Sequence, residues 1–210
     1  MDQASGLPAR RAALKLLDAV LRRAETLDQA AEAALRGVDA PADRALARAL
    51  ASEGLRWMVD LDALIDRATA QRLPEDAKAR QVLRLMLAGW LRLETPPHAV
   101  VATGLALLAG GPRRLAHGVF GALVRQGAAL PPVPTLPPAV AARWGARAGA
   151  IAAGLAVPPP LDLTLKDAGA TADWAARLGG VSLAPGHVRL ARGEAVETLA
   201  GYREGAWWVQ

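Results

Sequence analysis

The chain has 210 residues, 52% of them hydrophobic, so it can bury one large core or two modest ones. It contains no cysteine, which excludes disulfides, thiolate metal sites and cysteine nucleophiles from this segment. The 25 basic and 20 acidic residues give a net charge of +5, which favours a polyanionic partner without establishing one. Charged residues interrupt every apolar run and the N-terminus lacks a secretion signal, so we expect a cytoplasmic protein without a membrane span.

Residues 8–130 carry apolar side chains at helical spacing, separated by helix start and stop signals. We predict seven short helices, of which the sixth runs through Val100 and ends at Gly110-Gly111. The other six are predicted to begin near Pro8, Thr26, Pro41, Asp60, Pro74 and Pro112. Thr26 and Gln29 match a capping box, and Leu115 is expected on the apolar side of the last helix. The spacing therefore predicts an all-helical domain over residues 1–130.

The character of the sequence changes after this domain. Residues 131–138 are too rich in proline for a helix or a central strand, so they are predicted to form a semi-rigid linker. A further helix is expected up to Pro158, followed by a strand over 161–166, a helix from Thr171 to Gly179 and short strands at 188–190 and 196–199. Residues 139–210 are thus predicted to form one helix plus a small α+β module, and the predicted fold class of the chain is mainly α.

The sequence ends in Trp207-Trp208-Val209-Gln210, an extended apolar piece without a cap or a charged tail. One interpretation is a final edge strand that packs on the small module. The other, which the pattern favours, is that the two tryptophans contact a further domain.

No pattern in the chain is typical of a catalytic or cofactor site. His98, His117 and His187 lie far apart, and none has a second ligand at the spacing of zinc sites. No G-x-G-x-x-G follows a predicted strand. Asp60 and Asp62 lie at a helix start, where interaction with the helix dipole is the ordinary explanation. We therefore predict no catalytic, metal-binding or cofactor-binding residue in this chain.

Two basic clusters are the candidate RNA-binding residues. The first helix carries Arg10, Arg11, Lys15 and Arg22, and the last predicted helix of the bundle carries Arg113, Arg114 and Arg125. Cations in a first helical turn are unfavourable by a few tenths of a kcal/mol, roughly, which hints at a role other than helix stability. Neither cluster contains aromatic residues for base stacking, so contacts to phosphates are expected. The alternative is that both clusters are simply solvated helix faces.

Several segments resemble known families. Ala9-Arg10-Arg11-Ala12 and Glu25-Thr26-Leu27 resemble the first helix and turn of NusB-like domains. Pro96-Pro97-His98-Ala99 is similar to a turn of the RsmB/Sun/Fmu-type 16S rRNA cytosine-5 methyltransferases. The end of the chain, from Leu199 to Gln210, looks like the segment that leads into their methyltransferase fold. This sequence departs from that family in two places: His117 replaces a usual asparagine, and Leu163-Thr164-Leu165-Lys166 lacks the usual arginine and asparagine.

The resemblance implies a NusB-like helical bundle and an RNA-binding function. The chain would be the N-terminal portion of an S-adenosylmethionine-dependent methyltransferase, positioning small-subunit rRNA for a catalytic domain that packs near Trp207 and Trp208. S-adenosylmethionine and the catalytic cysteines would belong to that absent domain, so this chain should be inactive alone. Two alternatives stay open: a NusB-like antitermination factor that binds RNA, and a helical domain that binds only other proteins.

Overall fold

A computed structural model describes residues 6–191 and 196–210. The chain divides into two compact units, residues 1–152 and 153–210. The first unit is helical, and the second contains a small three-stranded antiparallel sheet. The predicted mainly α fold class is therefore confirmed. The predicted domain limits at 130 and 139 stay a prediction. The division between the two compact units falls within the last helix before the sheet.

The helical unit follows the predicted order of elements. Its helices are α1 Leu7–Arg23, α2 Leu27–Ala34, α3 Pro41–Arg56, α4 Met58–Arg67, α5 Lys78–Leu91, α6 Pro97–Gly104, α7 Gly110–Arg125, α8 Pro138–Trp144 and the start of α9 Ala148–Ala156. The predicted capping box is present: the Gln29 amide N–H donates to Thr26 Oγ1 at 3.2 Å, and the Thr26 amide donates to Gln29 Oε1 at 2.9 Å. Among the described residues, no helix is long and apolar enough to cross a membrane.

Helix α5 is the central element of this unit. It packs against α1, α3, α4, α6 and α7. Every residue from Ala79 to Gly89 is buried, including Arg80, Gln81 and Arg84. The expected apolar stripe through Val82 and Met86 is present, but it is only part of a helix that is buried all round.

Some predicted boundaries are wrong. Helix α5 begins at Lys78, because residues 74–77 form a turn closed by a 3.1 Å bond from the Ala77 N–H to the Pro74 carbonyl. Helix α7 begins at Gly110 itself, since the preceding helix has already ended in a 3-10 turn at Leu105–Leu107. Leu115 is 38% exposed and does not join the core.

The second unit is built on strand β1. Strands β1 Leu161–Leu165, β2 His187–Leu190 and β3 Trp207–Val209 lie in the order β2-β1-β3. Leu163 pairs with both Val188 and Val209. Helix α10, Thr171–Leu178, contributes Trp174 and Leu178 to the core on one face of the sheet. The predicted strand at 196–199 is wrong, because Val196–Thr198 is a 3-10 turn.

Candidate nucleic-acid interface

Two cations on α1 are free to meet a ligand. Arg11 and Lys15 are exposed, and neither forms an ion pair with any residue of the described ranges. They lie four residues apart, so they share one face of the helix. Ala12, Ala13 and Leu16 bury the opposite side of α1, which fixes the orientation of that exposed face.

The other two predicted cations of α1 are already engaged. Arg22 Nε lies 3.0 Å from Asp18 Oδ1, and Arg22 Nη2 donates to the Asp76 carbonyl at 2.7 Å. Arg10 Nη1 donates to the Gly6 carbonyl at 3.1 Å. Burial of the Arg10 guanidinium lowers its pKa, and the nearby Asp43 carboxylate partly offsets this. Arg10 and Arg22 are therefore less available to a phosphate than Arg11 and Lys15.

The second predicted cluster lies along α7. Arg113, Arg114 and Arg125 are all exposed and form no ion pair with described residues. Arg114 and Arg125 are eleven positions apart, which places them on the same side of the helix about 16 Å apart along its axis. His117, one turn after Arg114, is exposed as well.

Sequence reasoning missed Lys78, which lies between the two clusters. Helix α5 packs against both α1 and α7, and Lys78 is its first residue. The exposed Lys78 lines one groove together with Lys15 and a second groove together with Pro112. Because the helix start was predicted at Pro74, this lysine looked like an interior helical residue. A cation in a first helical turn is unfavourable for the helix dipole, so a correctly placed helix start would have marked Lys78 as a candidate.

Arg80 and Arg84 do not belong to this surface, because both are buried and form ion pairs. Arg84 Nε and Nη2 donate to the two carboxylate oxygens of Asp62, at 2.7 and 2.5 Å. Arg80 Nη1 lies 3.0 Å from Asp62 Oδ1, and its Nη2 donates to Asp66. Asp62 is thus a partner of two buried cations, which is a stronger role than the predicted interaction with a helix dipole.

Asp60 also has a specific partner. Its carboxylate accepts bonds from the Thr135 amide N–H at 2.8 Å and from Thr135 Oγ1 at 2.6 Å. Pro134 beside it is buried. The proline-rich segment 131–138 is therefore fastened to the start of α4 at its midpoint.

The exposed positive charge belongs mostly to the helical unit. Residues 153–210 contain five basic and six acidic residues and carry a net charge of −1, which leaves +6 for residues 1–152. In the sheet unit, Asp162 accepts bonds from Arg189 Nε and Nη2, both at 2.7 Å, and lies 3.1 Å from His187 Nε2. Within the described ranges, no three His, Asp or Glu side chains are arranged to hold a metal ion.

The two terminal tryptophans have different environments. Trp207 is 5% exposed, and its Nε1 donates to the Ala200 carbonyl at 2.9 Å. Trp207 therefore belongs to the core of the sheet unit, and the predicted role of its ring in a domain junction is corrected. Trp208 lies on the opposite face and is 54% exposed.

Comparisons with known proteins concern mainly the helical unit. The model of the NusB family matches residues 7–109. These residues form a NusB family domain. A chain in a crystal structure of a plectonemic RNA supercoil is similar, with a TM-score of 0.53 and 18% identity over 58% of this chain and 94% of that one. A chain in a structure of antitermination factors NusB and NusE in complex with dsRNA has a TM-score of 0.51 and 19% identity, over 57% of this chain and 96% of that one.

A third solved structure extends beyond the NusB family domain. The crystal structure of PH0851 aligns with 97% of this chain at a TM-score of 0.55 and 12% identity. The aligned part is 53% of that chain, so the present chain spans about half of its length. At such identities the likeness concerns the fold alone. A search among curated proteins found no match.

Proposed function

We propose that this chain binds structured RNA through phosphate contacts on the NusB family domain. The observation that carries the proposal is the pair of exposed cations Arg11 and Lys15, which no described carboxylate neutralises. The net charge of +6 on residues 1–152 supports the same partner. A NusB protein with a similar fold has been crystallised with NusE and dsRNA.

We further propose that the chain is the RNA-binding N-terminal portion of an S-adenosylmethionine-dependent rRNA cytosine-5 methyltransferase, and that its RNA is small-subunit rRNA. Pro96-Pro97-His98-Ala99 lies at the start of α6, and the Leu199–Gln210 segment ends in β3. The alignment of nearly the whole chain with half of a longer protein is consistent with a further domain. The exposed Trp208 ring is available for contact with such a domain. Cofactor binding and the methyl transfer would reside there.

The test is a titration of the chain against small-subunit rRNA fragments and an unrelated RNA hairpin at several salt concentrations. Salt-dependent binding that is tighter for the rRNA fragments is expected. Arg11→Ala combined with Lys15→Ala should weaken binding and flatten the slope of log affinity against log salt by roughly two units on duplex RNA, since each phosphate contact contributes about −0.9.

The matched control is Arg36→Ala combined with Arg48→Ala. It removes the same charge from two exposed arginines on α3 and on the turn after α2. Equal slopes for the two double variants would remove the α1 face from the interface. Absence of RNA binding at low salt would overturn the proposed function and favour a domain that binds only proteins.

A further inference from the structure

An apolar groove on the helical unit lies next to the proposed phosphate-binding cations. It has a volume of about 450 Å³, and Leu73, Ala77, Leu108, Ala109, Pro112 and Leu115 line it. Leu108 is buried beneath it, whereas Leu115 at its rim is 38% exposed. We call it the α5–α7 groove, because it lies where these two helices begin.

The charges around this groove favour an anionic occupant. Within the described part of the chain, Lys78 is the one charged residue that lines it, and no carboxylate does. Arg113 and Arg114 lie between Pro112 and Leu115 in the first turns of α7, and both are exposed and without a described ion pair. The occupant should therefore combine an apolar surface with negative charge.

Lys78 connects this groove to the α1 face. It also lines a second groove, of about 290 Å³, together with Lys15, Asp18, Arg22 and Asp76. Arg22 contacts both of these aspartates and Arg23 also contacts Asp18, whereas Lys15 and Lys78 form no ion pair with a described residue. Packed helices lie about 8–10 Å apart, so the cations of α1, α5 and α7 form a row across three neighbouring helices. Such a row suits a ligand with repeated anionic groups, and the proposed function of the domain makes RNA the candidate among such ligands.

We propose that the α5–α7 groove binds an unstacked base of single-stranded RNA, and that Lys78 contacts the phosphate backbone between this base and the α1 face. The inference rests on the proposed RNA-binding function and adds a base-binding site to it. Aliphatic side chains provide a flat apolar surface for the base, as apolar residues do in pockets for flipped nucleotides. Single strands are the matching substrate, because duplex pairing keeps the bases stacked and out of reach.

Ala109 offers a variant that blocks the groove without harming the fold. It is the exposed N-cap residue of α7 and makes no side-chain cap. Ala109→Asp introduces a carboxylate at the groove while supplying a favoured N-cap residue. Ala40 is likewise an exposed N-cap residue, at the start of α3, and makes no side-chain cap, so Ala40→Asp is a matched control with the same charge change.

The experiment measures affinity for a fluorescein-labelled single-stranded RNA and for a set of the same RNAs with one abasic ribose at each position in turn. At one position, removal of the base should weaken binding to the unmodified chain and to Ala40→Asp by about tenfold. Ala109→Asp should bind the intact RNA about tenfold more weakly and show no further loss from that abasic change. Lys78→Gln should flatten the salt slope by about 0.7, whereas Lys166→Gln on the sheet unit should not.

Three outcomes would overturn the proposal. If Ala109→Asp and Ala40→Asp bind every RNA of the set equally well, the groove does not hold a base, although the RNA-binding function stands. If a polyglutamate peptide binds more tightly than RNA and Ala109→Asp abolishes that binding, the groove is a protein-docking site. If the unmodified chain binds no RNA at low salt, both the inference and the proposed function fail.

Discussion

At the scale of single residues, burial decides which arginines are structural. Arg80 and Arg84 lie in a stretch of α5 that is buried all round, with side chains 0% and 4% exposed. A buried guanidinium is tolerated only when carboxylates neutralise it. Arg11 and Lys15 have no such partner in the described ranges, and they remain in water. The sequence alone does not distinguish these two kinds of cation, because both occur at helical positions rich in alanine and leucine.

Because Asp62 pairs with both buried arginines, its substitution should lower the stability of the helical unit. Asp62→Asn removes the negative charge that Arg84 contacts through two bonds and that Arg80 also approaches. Leaving buried charge without its partner costs about 3–5 kcal/mol of unfolding free energy. Urea unfolding should show that loss. Asp39→Asn, at an exposed site without a described partner, should unfold like the original chain. Equal stability of both variants would show that the ion pairs contribute little.

At the scale of elements, the Asp162 carboxylate ties β1 to β2. Hydrogen bonds from Arg189, and to a smaller extent from His187, lower the pKa of Asp162 from 3.8 to about 2, against an opposing effect of desolvation. Because the folded pKa is the lower one, this contribution is fully present above pH 4, roughly, and is lost as the pH falls toward 2. The stability of the sheet unit against urea should therefore decrease as the pH falls between these values.

Asp162→Asn should remove that part of the pH dependence. Asp173→Asn, at an exposed position of α10, is the control and should keep it. The two variants can be compared by the tryptophan fluorescence of urea titrations at several pH values. Parallel pH profiles for both would show that the Asp162–Arg189 pair does not couple β1 to β2.

Gly180, two residues after the end of α10, lies tightly against strand β2. A Cβ atom there would lie 2.5 Å from Leu190 Cδ2, 2.7 Å from Val188 Cγ1 and 2.8 Å from the Arg189 carbonyl oxygen. Two backbone bonds between Val181 and Arg189 hold that carbonyl in place. Gly180→Ala should destabilise the sheet unit by about 1–3 kcal/mol, as overpacking does.

Gly154→Ala provides a control of opposite sign. Gly154 lies in α9, and a Cβ there would meet no other atom within 4 Å. Alanine should stabilise that helix by about 0.5–1 kcal/mol. Thermal unfolding followed by circular dichroism can compare both variants. Stabilisation by Gly180→Ala would contradict the close approach of α10 and β2.

The elements that could be predicted are those fixed by local chemistry. Proline in the first turns of α1 and α3, the Thr26–Gln29 capping box and the alternation in β1 each act within a few residues, and the structure contains these features. Proline did not mark the starts of α5 and α7, which lie at Lys78 and Gly110. The predicted strand at 196–199 was wrong because Val196 and Leu199, the apolar residues of this segment, also fit the two ends of a 3-10 turn, which the Leu199 N–H closes by donating to the Val196 carbonyl. The sequence grouped Arg113, Arg114 and Arg125 on one predicted helix, and in the structure all three are exposed on α7. The grooves were not, since they depend on how α1, α5 and α7 pack.

At the scale of the whole molecule, the two units have separate cores. One core is built from α1, α2, α3 and Leu85 of α5, and the other from the three strands, Trp174 and Leu199. Since each unit buries its own apolar cluster, we expect each to unfold cooperatively by itself. We therefore expect two unfolding transitions, so that a single melting temperature does not describe the chain.

Asp62→Asn and Gly180→Ala can show which unit gives rise to which unfolding transition. Asp62→Asn should shift the transition of α4 and α5 and leave that of the sheet unchanged, whereas Gly180→Ala should do the reverse. Hydrogen exchange followed by mass spectrometry in increasing urea resolves the two, because peptides from 58–91 and from 161–190 report separately. If either substitution shifted the protection of both sets of peptides equally, the units would unfold together, and the sheet unit would be an integral extension of the NusB family domain. Independent shifts would instead establish it as a second folding unit.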